Sequence, residues 1–380
     1  MSMGFVVFLT VFLTIYGAEH AYLYLRLSPL LRSPGWLAAG LVLMIPLPIL
    51  STVLLRFGHL RSAQILGWLG FTWMGFAFLL FSFLLLGDAL RLAGWLSARV
   101  GLAGLRPDPV FLVKGALVFS LVATGWAIHN ARRVEVLRVP VQHPRLAGLD
   151  RPLRVLQISD LHLGLLSDAS RVAHVVEQAR VLQPDMILCT GDLVDGPNEL
   201  LAGQAALLAD LHAPLGKYAV TGNHEAYSNA DAGRQTIEAA GFRLLRGEGL
   251  QVLPGLSVAG IDDPTFIGRG AKARELEHTV LSTLPATDFR MLLKHQPILS
   301  PDSDGLVELQ LSGHTHGGQI FPFGWLTRRA YPVPMGLSSP RDGFLLYLSR
   351  GTGVWGPPMR WPLRSELTLL ELGGPANARP

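Results

Sequence analysis

The 380-residue chain has one cysteine, Cys189, which excludes an intrachain disulfide and any cysteine-built zinc cluster. Charge is also scarce. Asp, Glu, Lys and Arg make up 16% of the chain, against about 25% in soluble proteins. Hydrophobic residues reach 49%, which excludes a disordered chain and argues against a wholly water-soluble one. The net charge of +4 is too small, and its arginines sit too often beside apolar runs, to point to nucleic acid as a partner. There is no internal repeat and no low-complexity segment, and the 41 glycines and 26 prolines follow no collagen-like period. No Lys or Arg precedes Arg26 and the first apolar run is long, so a cleaved signal peptide is not expected.

Long apolar stretches fill the first third. Phe5 to Leu25 is apolar apart from Glu19 and His20, Trp36 to Leu55 and Ser62 to Gly87 carry no charge, and Pro109 to Ile128 carries only Lys114. Crossing a hydrocarbon core of about 30 Å takes about 20 apolar residues. Residues 1–130 therefore read as a transmembrane region of about four helices in a lipid bilayer. Helices of a soluble bundle would show a polar face every 3.6 residues, and the third stretch has none. Pro46 and Pro48 predict a kink, and Lys114 is expected to snorkel. Glu19 and His20 read either as an intramembrane site or as interfacial residues. Leu90 to Leu105 reads as an interfacial helix or an ordinary loop. Arg56, Arg61, Arg132, Arg133 and Arg138 on one side balance Arg26, Arg32, Arg91, Arg99 and Arg106 on the other. The positive-inside rule thus leaves the orientation undecided, with the cytoplasmic side the working expectation for the second half.

Near His129 the composition changes. Charges recur every few residues, and Pro140, Pro144 and Pro152 punctuate the entry. Residues 131–150 read as a linker with a first strand, 151–373 as one domain and 374–380 as a tail. Strands are predicted at Arg154–Ile158, Met186–Cys189, Lys217–Thr221, Arg243–Leu245, Leu256–Ala259, Phe289–Leu293, Val307–Leu311, Phe344–Leu348 and Glu366–Leu372. Helical spacing falls around Val172–Ala179, Leu200–Leu211, Ala232–Ala240 and Ala271–Leu284. Alternating strands and helices predict a layered α/β domain.

Polar clusters fall at the ends of five of these strands: Asp160-Leu161-His162, Gly191-Asp192, Gly222-Asn223-His224-Glu225, Lys294-His295 and Gly313-His314-Thr315-His316-Gly317-Gly318. Open α/β sheets bind ligands beyond the carboxyl ends of their strands, so clusters distant in sequence would meet at one rim. Imidazole, carboxylate and amide oxygen suit zinc, manganese or iron without any thiolate. A carboxylate can bridge two such ions, and a pair about 3.5–4 Å apart activates water for displacement at phosphorus.

In this order the five blocks resemble the signature of the calcineurin-like metallophosphoesterases, over roughly residues 134–373. Ser159 to Gly164 and Gly313 to Gln319 are most similar to the bacterial YkuE-like branch, some of whose members carry N-terminal membrane segments. The resemblance implies a β-sandwich flanked by helices and two divalent ions (manganese, iron or zinc). It implies hydrolysis of phosphomonoesters or phosphodiesters, from a bacterial inner membrane. Asp160, His162, Asp192 and His316 would hold one ion. Asp192 would bridge to a second, held also by Asn223, His295 and His314. Asp192 with the ions would deprotonate the attacking water, and His224 would stabilise phosphoryl oxygens or protonate the leaving group. Ser349-Arg350-Gly351-Thr352-Gly353 also resembles a loop near the branch's site, with no role implied.

Other features read as structural. Gly351-Thr352-Gly353-Val354-Trp355-Gly356 fits a dinucleotide-binding string, but Pro357-Pro358 forbids the helix that must follow. Asp195 either caps a helix or orients a neighbour, His174 is an ordinary helix residue, and Cys189 fills the core. Phe321-Pro322-Phe323-Gly324-Trp325, with Arg328 and Arg329 after it, reads as a headgroup-level segment or an ordinary loop. An anchor this large favours a lipid-linked phosphate ester as substrate, with Arg328, Arg329, Arg341 and Arg350 attracting its anionic headgroup. The alternative is a non-catalytic membrane sensor using the same domain for binding. A transporter would want polar residues in several spans, and only Glu19 and His20 qualify.

Overall fold

A computed structural model describes residues 3–102, 107–167, 169–196 and 198–375, which divide into two units. The first comprises residues 1–129 with two short later stretches, 320–322 and 356–362. Its helices begin with α1 (Met3–Leu27), α2 (Gly35–Met44) and α3 (Leu47–Arg56). The last two are α4 (Leu60–Arg99) and α5 (Pro109–Arg132). Among the described residues three helical spans are long and apolar enough to cross a membrane: Gly35–Arg56, Leu60–Arg99 and Pro109–Arg132. Phe5 to Leu25 lies inside α1, some of whose first side chains fall outside the described residues.

The kink predicted from Pro46 separates α2 from α3, because a proline cannot donate to the preceding turn and crowds its carbonyl. Leu90 to Leu105 is not a separate element. Its first part continues α4, which runs unbroken for 40 residues, about 60 Å at 1.5 Å per residue. No proline interrupts α4. Residues 103–106 lie outside the described residues.

Ala63, Gly67 and Gly70 recur at helical spacing on the buried face of α4. They let α3 approach so closely that a Cβ on Gly70 would stand 2.8 Å from that of Leu47. His20 is buried and fully bonded: its Nε2 accepts from Trp73 Nε1 at 2.8 Å, which leaves Nδ1 to donate to the Tyr16 carbonyl at 2.7 Å. That is a structural role, not a vacant intramembrane site. The two late stretches complete this core. Met359 is fully buried with Leu79, Ala123 and Ala127, and the Arg360 N–H donates to the Ala127 carbonyl at 2.9 Å.

The second unit holds the α/β half. In chain order its strands are β1 (Val134–Gln142), β2 (Leu153–Ile158), β3 (Leu163–Gly164), β4 (Met186–Cys189), β5 (Val194–Asp195), β6 (Lys217–Ala219) and β7 (Arg243–Leu244). Then follow β8 (Glu248–Leu253), β9 (Leu256–Gly260), β10 (Phe289–Leu293), β11 (Leu309–Ser312), β12 (Gly336–Arg341), β13 (Phe344–Leu348) and β14 (Ser365–Gly373). The helices are α6 (Ala169–Leu182), α7 (Asn198–Ala209), α8 (Asn223–Ala239), α9 (Pro264–Ile267), α10 (Ala271–Ser282) and α11 (Gly324–Ala330).

Two six-stranded sheets result, ordered β1-β14-β2-β4-β6-β7 and β12-β13-β11-β10-β9-β8. Strand periodicity assigns the layers. Val155, Met186, Leu188 and Tyr218 share a core with Val258, Met291, Leu293 and Leu311 of the second sheet. Their neighbours Leu156, Ile158, Ile187 and Cys189 turn the other way, onto Val172, Val176, Leu201 and Ile237 of the helices. Helix α10 covers the far side of the second sheet through Val280 and Leu281. The domain is thus a β-sandwich between helical layers.

Strands β8 and β12 were not predicted. Both are antiparallel edge strands whose side chains are half-buried or exposed, so neither carries a continuous apolar run.

Candidate dinuclear metal centre

Strands β2, β4 and β6 are neighbours running parallel in the first sheet, and β10 and β11 are parallel neighbours in the second. Each ends in one of the polar clusters. The loops after β2 and β4 travel side by side, the N–H groups of Asp160 and His162 donating to the carbonyls of Gly191 and Asp192, both at 3.0 Å. Gly313 N–H likewise donates to the His295 carbonyl at 2.9 Å. Gly191 has φ +91, and a Cβ there would stand 2.7 Å from His295 Nδ1. Only glycine fits such a turn.

Residues spread over the chain meet closely. His162 Nε2 and His316 Nε2 are 3.0 Å apart, and His314 Nδ1 and His295 Nε2 are 3.2 Å apart. Ring nitrogens so close share at most one proton; otherwise two lone pairs converge where a cation belongs. Asp160 Oδ1 lies 3.5 Å from His316 Nε2. Asp192 Oδ2 lies 3.1 Å from His295 Nε2 and 3.8 Å from His162 Nε2, between the two imidazole pairs. Three overlapping ligand groups follow: Asp160 with His162 and His316; His162 with Asp192 and His224; Asp192 with His295 and His314.

The donors fit a pair of divalent ions on one further observation. Asn223 Oδ1 is buried without a hydrogen-bond partner among the described residues. An amide oxygen in that position costs about 1–3 kcal/mol unless something accepts its lone pairs. His295 is already oriented: Nδ1 donates to the Thr190 carbonyl at 2.8 Å, which turns Nε2 inward.

Backbone strain marks the same residues. Asp160, His162, Asp192, His314 and His316 all have left-handed φ, between 50 and 72°. For a residue with a Cβ this costs of order 1–2 kcal/mol each, and such conformations concentrate where side chains must converge.

A profile of the calcineurin-like phosphoesterases matches residues 153–318. An uncharacterized metallophosphoesterase of Aquifex aeolicus is 35% identical over 59% of this chain and 87% of its own length. The chain belongs to this family. The uncharacterized metallophosphoesterase YkuE of Bacillus subtilis is 33% identical, over 68% of this phosphoesterase and 94% of its own length. A transmembrane protein with metallophosphoesterase domain from Bos taurus is 30% identical over 70% of this chain and 62% of its own length.

The phosphoesterase site is strongly polarised. Burial acts upward on Asp192, but the imidazoles of His295, His224 and His162 outweigh it and hold the carboxyl well below its usual range. Burial, with the neighbouring Asp192, raises Asp160. His295 is driven well above its ordinary value by Asp192 and Asp160 against the opposing effect of burial. Burial, followed by the charge of His295, pushes His314 down to about 3, so its ring is neutral.

His224 is raised to about 9, burial opposing and Asp192 and Asp195 prevailing. Asp195 settles the choice left by its spacing: it orients neighbours. Its Oδ1 meets His224 Nδ1 at 3.0 Å and its Oδ2 lies 3.4 Å from His162 Nδ1. The rings of Tyr227 and Trp355 both pack edgewise on His224.

Glu225 is fully buried and accepts from the N–H groups of Gly222, Val194 and Asp192 at 2.7, 2.9 and 3.2 Å. This ties the β4 and β6 loops together and starts α8 nine residues before the predicted Ala232. The polar run Asn223 to Arg234 hid the helix from apolar periodicity. Sequence reasoning also missed Asp263, Gln296 and Tyr331, a hydrogen-bonded chain that ends on His314. The signals were slight: Asp263 is an acid at the end of β9, Gln296 follows His295, and nothing flags Tyr331.

Arg341 and Arg350, expected to attract a headgroup, both make ion pairs within the domain. Arg350 pairs with Glu366 and Glu135, each at 2.8 Å, and Arg341 pairs with Asp304 and donates to the Ser300 carbonyl at 2.9 Å.

Proposed function

We propose that the chain is a membrane-anchored dinuclear-metal phosphoesterase that cleaves a phosphodiester or phosphomonoester of a lipid-linked substrate. The observation that carries this reading is Asp192 Oδ2 lying between two pairs of convergent imidazole nitrogens. One ion would be held by Asp160, His162, Asp192 and His316, the other by Asp192, Asn223, His295 and His314. The nitrogen and oxygen donors suit manganese, iron or zinc.

Such a pair, when bound, lowers the pKa of a shared water and neutralises charge on the attacking and leaving oxygens. The protein's own part is to place that chemistry. Asp192 orients the attacking water and favours its deprotonation. His224 holds Nδ1 toward Asp195, which leaves Nε2 to deliver a proton to the leaving oxygen. In the metal-free protein Asp192 and Asp195 raise His224 to about 9, so these two carboxylates favour the protonated ring.

The anchor is proposed to span the bilayer four times, α1 being the fourth span, with the domain on the cytoplasmic side of a bacterial inner membrane and kinship to the YkuE-like branch. Support for an amphiphilic substrate comes from α11, which starts six residues beyond Gly318. It exposes Trp325 and Leu326 beside Arg328 and Arg329, with Phe323 just ahead. Apolar side chains flanked by arginines suit a surface at headgroup level.

The test uses full-length protein in detergent: elemental analysis and turnover of an ester panel, wild type against Asp192→Asn. Two ions per chain with turnover, both lost in the variant, support the reading. Two ions with no turnover on any ester favour a binding protein instead. For the lipid, Trp325→Ala with Arg328→Ala should lower kcat/KM on a micellar lipid phosphate and leave a soluble p-nitrophenyl ester unchanged. Equal losses on both substrates defeat the lipid assignment.

A further inference from the structure

One of the proposed ligands, His314, has its outward nitrogen in a chain of hydrogen bonds that the metal reading does not use. Tyr331 lies just beyond the end of α11, its ring edgewise to His314 with centroids 5.1 Å apart. The hydroxyl stands 3.0 Å from His314 Nε2 and 3.0 Å from Gln296 Oε1. The Gln296 side-chain amide donates to Asp263 Oδ2 at 2.8 Å. Asp263 and Gln296 are both buried. Asp263 is fixed in turn: its Oδ1 accepts the Thr265 N–H at 2.9 Å, and its own N–H donates to Thr221 Oγ1 at 3.1 Å.

The polarity of this chain follows from its inner end. A carboxylate only accepts, so Gln296 must turn its NH2 to Asp263 and its Oε1 to Tyr331. A phenol has one proton, and Oε1, which can only accept, takes it. Toward His314 the Tyr331 oxygen is then an acceptor, and Nε2 must carry the ring hydrogen. In a neutral imidazole that leaves the lone pair on Nδ1, the atom 3.2 Å from His295 Nε2.

We propose that Tyr331 is a positioning residue that fixes His314 as the Nε2–H tautomer and aims its Nδ1 lone pair at the second ion, through the relay Asp263–Gln296–Tyr331–His314. This rests on the dinuclear reading. Partners of this kind, placed behind a ligating imidazole, are worth roughly 10- to 100-fold in metal affinity.

The experiment titrates full-length protein in detergent with cobalt(II), against a chelating dye, and follows the visible absorption of the bound ions. Tyr331→Phe keeps the ring and removes the oxygen. It should weaken one of the two ions by roughly 10- to 100-fold, alter that ion's absorption and leave the other ion unchanged. Melting of the metal-stripped protein should fall only by the few degrees that the unpaired Gln296 Oε1 costs, whereas a packing role would lower it further. Gln296→Leu should weaken the same ion, and the double variant should lose no more than Tyr331→Phe alone. Unchanged affinity for both ions, equal weakening of both, or additive losses overturn the relay. A wild type that binds fewer than two ions overturns the dinuclear reading instead, which keeps the two failures apart.

Discussion

Replacing Asp195 by asparagine separates charge from shape at His224, the proposed proton donor. Asn keeps an oxygen within reach of His224 Nδ1, now 3.0 Å from Asp195 Oδ1, but removes the negative charge. His224 stands at about 9, and Asp192 and Asp195 are the principal groups that raise it. Losing one of the two carboxylates should lower it by roughly one pH unit. If the protonated ring is the acid, the alkaline limb of kcat/KM moves down by the same amount. At the pH of the wild-type limb the protonated fraction falls from about a half to about a tenth, a roughly fivefold loss, while two units below it protonation alone changes almost nothing. Bound ions pull both proteins' limbs downward together, so the gap between the two profiles is the readout. The assay is kcat/KM on an alkyl phosphate ester, whose alkoxide leaving group needs the proton, from pH 6 to 10 at saturating metal. A uniform drop at every pH, or coincident limbs, would refute the assignment of His224 as proton donor. Stability follows the same sign. His224 is raised above its ordinary 6.5, so its contribution is complete below that pH and is lost as pH rises through about 9. The gap is worth about 3 kcal/mol in metal-stripped protein.

Three more outcomes follow from the geometry. Glu225→Ala leaves the N–H groups of Gly222, Val194 and Asp192 without their acceptor, at about 1–3 kcal/mol each. Melting in detergent should fall by at least roughly 6 °C, and Glu225→Gln, which keeps one acceptor oxygen, should fall less. Gly313→Ala would drive a Cβ into Ser159 Oγ and Asp160 Oδ2, so elemental analysis should show one ion lost. Two ions retained with wild-type turnover would contradict the placement of Asp160. Added manganese should stabilise the fold by about 2.7 kcal/mol per site at a hundredfold excess over Kd, and so raise the melting temperature. A chelator should reverse the gain, and Asp192→Asn should abolish the response.

Much of the candidate site was legible in the sequence, because the candidate ligands sit where short buried strands stop. Met186–Cys189 and Phe289–Leu293 were bounded to the residue, since each is a fully buried run ended by a polar ligand cluster. The edges were illegible for the opposite reason: β8 and β12 face water on one side, and their pairing is set by neighbours rather than by their own apolar content. Asp195 could be marked as polar and well spaced, but its choice between a helix cap and an imidazole depended on the small parallel pairing of β3 with β5. Tyr331 had no local signature, because its only informative partners lie 17 and 35 residues away. In the first third, length and hydropathy marked the candidate spans, three of which are long and apolar enough to cross a membrane among the described residues. The continuation of α4 past Gly87 was missed because composition does not mark where a helix ends in the absence of a breaker.

The left-handed geometry of Asp160, His162, Asp192, His314 and His316 sets a limit on engineering. Selection for heat resistance alone, applied to metal-depleted protein, would find ready gains by swapping these five for glycine. Each swap would relax the polypeptide while deleting a donor. Thermal hardening of this enzyme must therefore be sought elsewhere, with turnover kept under selection in every round.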